Sequence, residues 1–236
     1  MSKTGRRHLV LVRAGEKSLH RQWLQGAAER SWDIIVSWYG DEPYLPVADE
    51  LVINRKGGKW DIIHEHFVEM PELIDRYDYF WLPDDDIATD ASTIEAMFGW
   101  MAREKLAVAQ PGLTADSYFS FLHTLASPSF SLRFSNCIEV MVPCLDRQVL
   151  RRMLPVFPVS KSGFGFDFVW ARLAADNRNV AAILDAVPMR HTRPVGKFLA
   201  SRLKAQGISP KAEGREVARR FGLGRQNRFP CYGGIT

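Results

Sequence analysis

Short apolar runs alternate with helically spaced apolar positions along most of this chain, the arrangement of an α/β fold whose sheet is largely parallel. "HLVLVRAG" (8–15) reads as a first strand and "SLHRQWLQGA" (18–27) as a helix. "WDIIVSWYGD" (32–41) reads as a second strand ending in a turn, and "ELVINRKGG" (50–58) as a third. From Trp60, residues Ile63, Phe67, Leu73, Ile74 and Tyr77 recur at roughly helical intervals, with Pro71 marking a break between two helices. A buried strand follows at 77–82, then an amphipathic helix over 91–106 and a short strand at 107–113. Residues 114–136 are Ser-rich and aromatic without clean periodicity, so a long ordered loop or irregular strands are expected there. "CIEVMVPCL" (137–145) reads as a strand and 146–157 as a helix. "GFGFDFVWARLAAD" (163–176) reads as a glycine turn opening a helix, and "VAAILDAV" (180–187) as the last core strand.

In "YDYFWLPDDDIATD" (77–90) the apolar strand runs straight into Asp84, Asp85 and Asp86. Three adjacent like charges have no place inside a buried strand, whereas in open α/β sheets ligands bind at the carboxyl ends of strands. Carboxylate oxygens suit Mg²⁺ or Mn²⁺, which use one or two protein carboxylates and fill the rest with water and phosphate oxygens. Successive side chains alternate in direction, so Asp84 and Asp86 converge while Asp85 points elsewhere. The expectation is a divalent cation carrying a phosphorylated ligand; a helix N-cap would explain one or two of the aspartates. A phosphohydrolase of the haloacid dehalogenase type has Thr two residues after the second Asp of such a motif. Thr89 stands two residues after Ile87, so that register fails.

"GFGFDF" (163–168) sets Asp167 after two glycines at the mouth of a predicted helix. Glycines there allow close backbone approach to a ligand, and a carboxylate beside a sugar hydroxyl is a candidate general base. Capping the helix is its other reading. "RHTRP" (190–194) follows a core strand and brings His191 to where strand ends gather. A neutral imidazole is a good ligand for Mn²⁺-like ions, though a lone histidine also serves as a packed or solvated residue.

Composition narrows the class. With 236 residues, 46% of them hydrophobic, the chain has the core of one globular domain or a domain plus a tail. Its longest apolar runs are too short to span a bilayer or to make a secretory leader. Three cysteines (Cys137, Cys144, Cys231) form no CxxC pair, against a disulfide framework or structural zinc and in favour of a reducing cytoplasm. The net charge of +4 is uneven: from Lys197 onward there are nine Lys/Arg and two Asp/Glu, so the body is mildly acidic and the end basic. A basic end segment can meet an anionic lipid, polysaccharide or nucleic acid, or simply be solvated.

Several segments together carry a resemblance. "YDYFWLPDDDI", "AVAQPGLT", "IEVMVPCLDRQVL", "GFGFDFVWARL" and "ILDAVPMRHTRP" are similar to the family known as domain of unknown function 707, over roughly residues 30 to 197 and in order. That family resembles glycosyltransferases of the GT-A type. The resemblance implies a single-domain α/β, Rossmann-like fold: a mixed, largely parallel sheet flanked by helices. It implies a nucleotide-sugar-binding half at 1–112, an acceptor-binding half at 113–200 and a basic C-terminal tail at 201–236. It implies a Mn²⁺ or Mg²⁺ ion held by Asp84, Asp86 and His191, with Asp167 as the acceptor base. Phe164 stands where many relatives have Trp, and one acid stands where some have two. Arg13, Asp41, Lys59, Asp84 and Asp85 become candidates for holding the donor, with Lys59 neutralising phosphate. The implied activity is metal-dependent sugar transfer from a nucleotide-diphosphate sugar to a glycan or lipid-linked acceptor. The charge of the basic tail, not the resemblance, suggests peripheral contact with an anionic membrane, and a nucleic-acid partner is not expected. The alternative from another class is a non-catalytic shell that binds a nucleotide or glycan. A nucleotidyltransferase ranks last, because "RAGEKSLHR" (13–21) offers one glycine where a phosphate loop needs several.

Overall fold

The strand at His8–Ala14 (β1) shows how the sequence builds its layers. Leu9 and Leu11 join one apolar core while Val10 and Val12 join another, because successive strand side chains point to opposite faces. The computed structural model describes residues 5–26, 29–174, 180–196, 203, 205–223 and 230–236. After β1 come α1 (His20–Trp23), β2 (Trp32–Trp38), β3 (Leu51–Asn54), α2 (Lys59–Glu69) and α3 (Glu72–Arg76). Next are β4 (Tyr79–Trp81), β5 (Ile87–Ala88), α4 (Ala91–Arg103), β6 (Val108–Leu113) and β7 (Leu132–Ser135). β8 (Cys144–Asp146), α5 (Arg147–Met153), α6 (Phe166–Leu173), β9 (Ala181–His191), α7 (Pro210–Arg220) and β10 (Cys231–Ile235) complete the described strands and α-helices, and short 3-10 turns lie at Leu122–Thr124 and Phe157–Val159.

The sheet order is β10-β7-β9-β6-β8-β4-β1-β2-β3, with β5 paired to β9 off this path. β4, β1, β2 and β3 are mutually parallel, as are β6 and β9; β8 and β7 run against their neighbours. The result is a single domain with a mixed, mostly parallel sheet flanked by helices. α1 and α4 cover one face through Trp23, Ile94, Met97, Phe98 and Met101. α2, α3, α5 and α6 cover the other, where Trp60, Phe157, Phe166 and Trp170 stack and edge against one another. Fully burying one such large apolar side chain stabilises by about 1.5–3 kcal/mol.

Local chemistry sets the ends. Asp90 caps α4 by accepting from the Thr93 N–H at 2.8 Å, and Asp146 caps α5 by accepting from Val149 N–H at 2.7 Å. Three elements differ from expectation. The helix expected at 18–27 forms only over His20–Trp23, with Gly26 turning left-handed at φ +71° soon after. The strand expected at 137–145 forms only at Cys144–Asp146, because Glu139 and Val140 donate their N–H groups to side chains, Gln110 Oε1 at 2.7 Å and Asp167 Oδ1 at 3.0 Å. β9 continues beyond 187 through Pro188 to His191. In the basic C-terminal segment, α7 packs on the body: Val217 is fully buried, and Glu213 accepts from the N–H groups of Lys161 and Ser162 at 3.1 and 3.0 Å. Among the described residues no helix is long and apolar enough to cross a membrane.

Candidate active site

β1, β2 and β4 end on the same edge of the sheet, and the chain leaves β4 through Leu82 and Pro83 into the three aspartates. Asp84 is held at this edge by its own N–H, which donates to Met141 O at 2.6 Å. Lys59, the first residue of α2, reaches across to donate to Asp84 Oδ1 at 2.7 Å and to Val140 O at 3.0 Å. β9 delivers His191: the antiparallel β5–β9 pairing sets His191 opposite Ile87, the residue after Asp86. Thr192 then locks the register by donating N–H and Oγ1–H to Asp86 O at 3.1 and 2.8 Å.

This pairing brings together Asp84, Asp86 and His191, each offering a ligand atom within 4.8 Å of the others. His191 Nδ1 donates to Tyr118 O at 2.7 Å, which fixes the ring and turns Nε2 toward Asp86 Oδ2, 3.2 Å away. A neutral ring so oriented aims a lone pair at a carboxylate, an arrangement that a cation between them satisfies. Asp86 Oδ1 is buried without a hydrogen-bond partner among the described residues, an atom that ordinarily demands one. Two carboxylates and an imidazole, one carboxylate oxygen orphaned, fit a Mn²⁺-like ion. Burial lowers the pKa of His191 but Asp86 outweighs it and raises it. Burial likewise raises that of Asp86, and His191 and Arg193 bring it below the ordinary carboxylate value.

Asp85 turns the other way. Its Oδ2 accepts from Gly15 N–H at 3.1 Å and from Tyr39 O–H at 2.9 Å, and its Oδ1 accepts from Arg193 Nη2. Burial pushes its pKa up, against the pull of Arg193, Gly15 and Tyr39. Position 15 must be glycine for this contact, since a Cβ there would lie 2.5 Å from Tyr39 Cε2. Arg193 also lies against Asp86, Nε to Oδ2 3.0 Å.

Asp167 enters from the opposite side of Val140. The Val140 N–H donates to Asp167 Oδ1 at 3.0 Å while the Val140 carbonyl accepts from Lys59, so a single peptide residue links the base candidate to the aspartates. Burial, reinforced by nearby Glu139, pushes the Asp167 pKa up to about 7, although the residue keeps part of its surface open. Glu139 is buried and anchors the loop above: its Oε2 accepts from Ser120 N–H at 3.0 Å, and its Oε1 from Thr124 Oγ1–H. On that loop Tyr118, Phe119 and Leu122 are exposed, as is Phe164, three residues before Asp167.

The other two candidates lie elsewhere. Arg13 is buried and donates to Ser37 Oγ at 2.6 Å and to Gly57 O at 3.1 Å, a brace between β1, β2 and the loop before α2. Asp41 is 94% exposed and paired with Lys56 at 2.5 Å. Sequence reasoning missed Arg193, Tyr39 and Glu139. Arg193 had a legible signal, because a chain still extended beyond His191 returns residue i+2 to the same side; the other two had none.

No protein-family model and no curated protein matches the chain, so the resemblance to the domain of unknown function 707 family rests on its motifs alone. In fold the chain is similar to S. aureus TarS. Against the crystal structure of TarS 1–349 it has 12% sequence identity and a TM-score of 0.53, covering 94% of this chain and 74% of that one. Against TarS 1–349 in complex with UDP-GlcNAc it has 12% identity and a TM-score of 0.58, covering 92% and 66%. Against TarS it has 11% identity and a TM-score of 0.55, covering 94% of this chain and 44% of that one. At such identity the likeness is one of fold.

Proposed function

We propose that this chain is a divalent-metal-dependent glycosyltransferase that moves a sugar from a nucleotide-diphosphate sugar to an acceptor hydroxyl. The observation that carries the reading is the convergence of Asp84, Asp86 and His191, joined through Lys59 and Val140 to Asp167. It is supported by a fold like that of a protein solved with UDP-GlcNAc. Residues 1–112 then hold the donor, and 113–200 supply the acceptor side. Mn²⁺ or Mg²⁺ held by Asp84, Asp86 and His191 would act as a Lewis acid on the leaving diphosphate.

The chain's own residues divide the remaining work. Lys59 neutralises Asp84 and, with three donors on Nζ, has capacity left for a phosphate oxygen. Asp167, with its pKa near 7, is ionised enough at neutral pH to accept the acceptor's proton and basic enough to draw it. Glu139 holds the Ser120–Thr124 loop. The acceptor we infer is a glycan or a lipid-linked glycan, met by the exposed Tyr118, Phe119 and Phe164. The exposed bases of α7, Lys211, Arg215, Arg219 and Arg220, are offered to an anionic membrane surface.

Calorimetric titration of UDP and GDP, with Mn²⁺ and with EDTA, tests the reading. Metal-dependent binding that disappears in Asp86→Ala supports it. A folded protein that binds neither nucleotide with Mn²⁺ would sink it.

A further inference from the structure

Arg193 is the cation at the three aspartates to which the reaction so far gives no task. Its Nε lies 3.0 Å from Asp86 Oδ2 and its Nη2 donates to Asp85 Oδ1. Asp85 is itself fixed by the Gly15 N–H and the Tyr39 hydroxyl, so the guanidinium is held by a carboxylate that cannot swing. A guanidinium carries five N–H donors in one plane. Two of its nitrogens are engaged here, and Nη1 has no hydrogen-bond partner among the described residues, while the side chain is 32% exposed. The chain has therefore fixed a rigid cation beside its metal-binding carboxylates with donors still free.

Arg193 offsets part of the charge of Asp85 and Asp86, but it also opposes a divalent ion at Asp86, since like charges at close range repel. An anion that joins the metal and takes the remaining donors resolves that opposition. The planar fork suits phosphate oxygens, and charge-assisted bonds to phosphate are the strong ones. We propose that Arg193 binds the terminal phosphate of the nucleoside diphosphate, positioned by Asp85, and that it weakens the metal site until that phosphate arrives. The proposal rests on the donor reading above and assigns the task of one residue within it. Asp85 is thereby a positioning residue and not a ligand of the donor.

The test is calorimetry on wild type, Arg193→Gln and Arg193→Lys, with thermal melts to verify folding. Mn²⁺ is titrated alone; UDP and UMP are then titrated at saturating Mn²⁺. In Arg193→Gln, Mn²⁺ should bind about tenfold more tightly, the Coulomb effect of removing one charge near a divalent ion in a wet site. UDP should bind roughly 10- to 100-fold more weakly through the loss of charge-assisted bonds, and UMP should be unchanged. Arg193→Lys keeps the charge without the fork and should fall between for UDP, which preserves the test if the glutamine variant does not fold. Affinities moving in opposite directions are beyond a merely structural residue, whose loss weakens both. If wild type binds UDP while Arg193→Gln leaves it unchanged, or weakens UDP and UMP alike, the proposal is overturned and the donor reading stands. If wild type binds neither UDP nor GDP, the donor reading falls first.

Discussion

Replacing Asp167 by Asn should stabilise the protein as it slows catalysis, and the pH dependence of the gain follows from the structure. Burial and the neighbouring Glu139 push the Asp167 pKa up to about 7, against about 3.9 in an unfolded chain. Between these values the unfolded chain has lost the proton that the folded one keeps. The aspartate's contribution to stability is therefore fully present below about pH 4, falls by about 1.4 kcal/mol per pH unit through the window, and levels off above about pH 7. The full shift corresponds to about 4 kcal/mol; water reaching the partly open residue screens this, and we expect about 2 kcal/mol. Asn keeps the Oδ1 that accepts from Val140 N–H and carries no charge at any pH. Melting Asp167→Asn beside wild type in EDTA, from pH 4 to 8, should show coincident curves at pH 4 and a variant about 4–8 °C more stable at pH 8. Its transfer rate should drop about 10²–10⁴-fold, while wild-type activity rises with pH to a plateau with a midpoint near 7. A stability difference flat across the range would mean that Asp167 is an ordinary solvated carboxylate, and its assignment as base would lose its physical ground.

Three further outcomes follow from the packing. Gly163 has φ +77° and a Cβ there would lie 2.2 Å from Trp60 Nε1, whereas Gly26 has φ +71° and nothing within 4 Å; Gly163→Ala should cost about 3 kcal/mol or more and Gly26→Ala only about 1–2, and equal losses in melting would refute the close approach. Arg133 grips the buried Asp185 through Nε and Nη2 at 2.8 and 2.7 Å; Arg133→Met strands that charge and should cost about 3–5 kcal/mol in urea unfolding, with Arg133→Met/Asp185→Asn milder than the single change. Tyr44 donates to Glu50 Oε1 at 2.7 Å and accepts from His20 Nε2 at 2.8 Å, with His20 held neutral by burial at a pKa of about 4; Tyr44→Phe should cost about 1–3 kcal/mol, and no loss in urea unfolding would show that water replaces the hydroxyl.

The fold was legible where one strand or helix declares its own environment. Alternation in "HLVLVRAG" separated the two cores, and Pro71 divided α2 from α3 as expected. It was not legible where distant side chains intervene. "CIEVMVPCL" reads as a strand by propensity, yet Gln110 and Asp167 capture the N–H groups of Glu139 and Val140 and bend the chain into the site. No local pattern announces that capture, because its partners lie 29 and 27 residues away. The C-terminal segment looked solvated because its bases are exposed; the attachment to the domain comes from Val217 and Glu213, two residues in an otherwise polar helix.

The three aspartates were visible at once, but their division of labour depends on partners from the whole sheet. The turn between β4 and β5 sends Asp84 and Asp86 toward His191 and Asp85 toward Gly15 and Tyr39. The repulsion among three adjacent carboxylates is offset by groups from separate elements: the cations of Lys59 at the start of α2 and Arg193 just beyond β9, together with His191 at the end of β9, whose ring turns to Asp86. None of these is near the aspartates in sequence, so the cluster is destabilising until β1, β2, β4, β9 and α2 have assembled. An intact site of this kind therefore requires the finished fold, and the carboxylates confer no benefit on a chain that binds nothing. That cost, with Asp86 Oδ1 buried and unpartnered among the described residues, is the physical reason to read the cluster as built for a ligand rather than for stability.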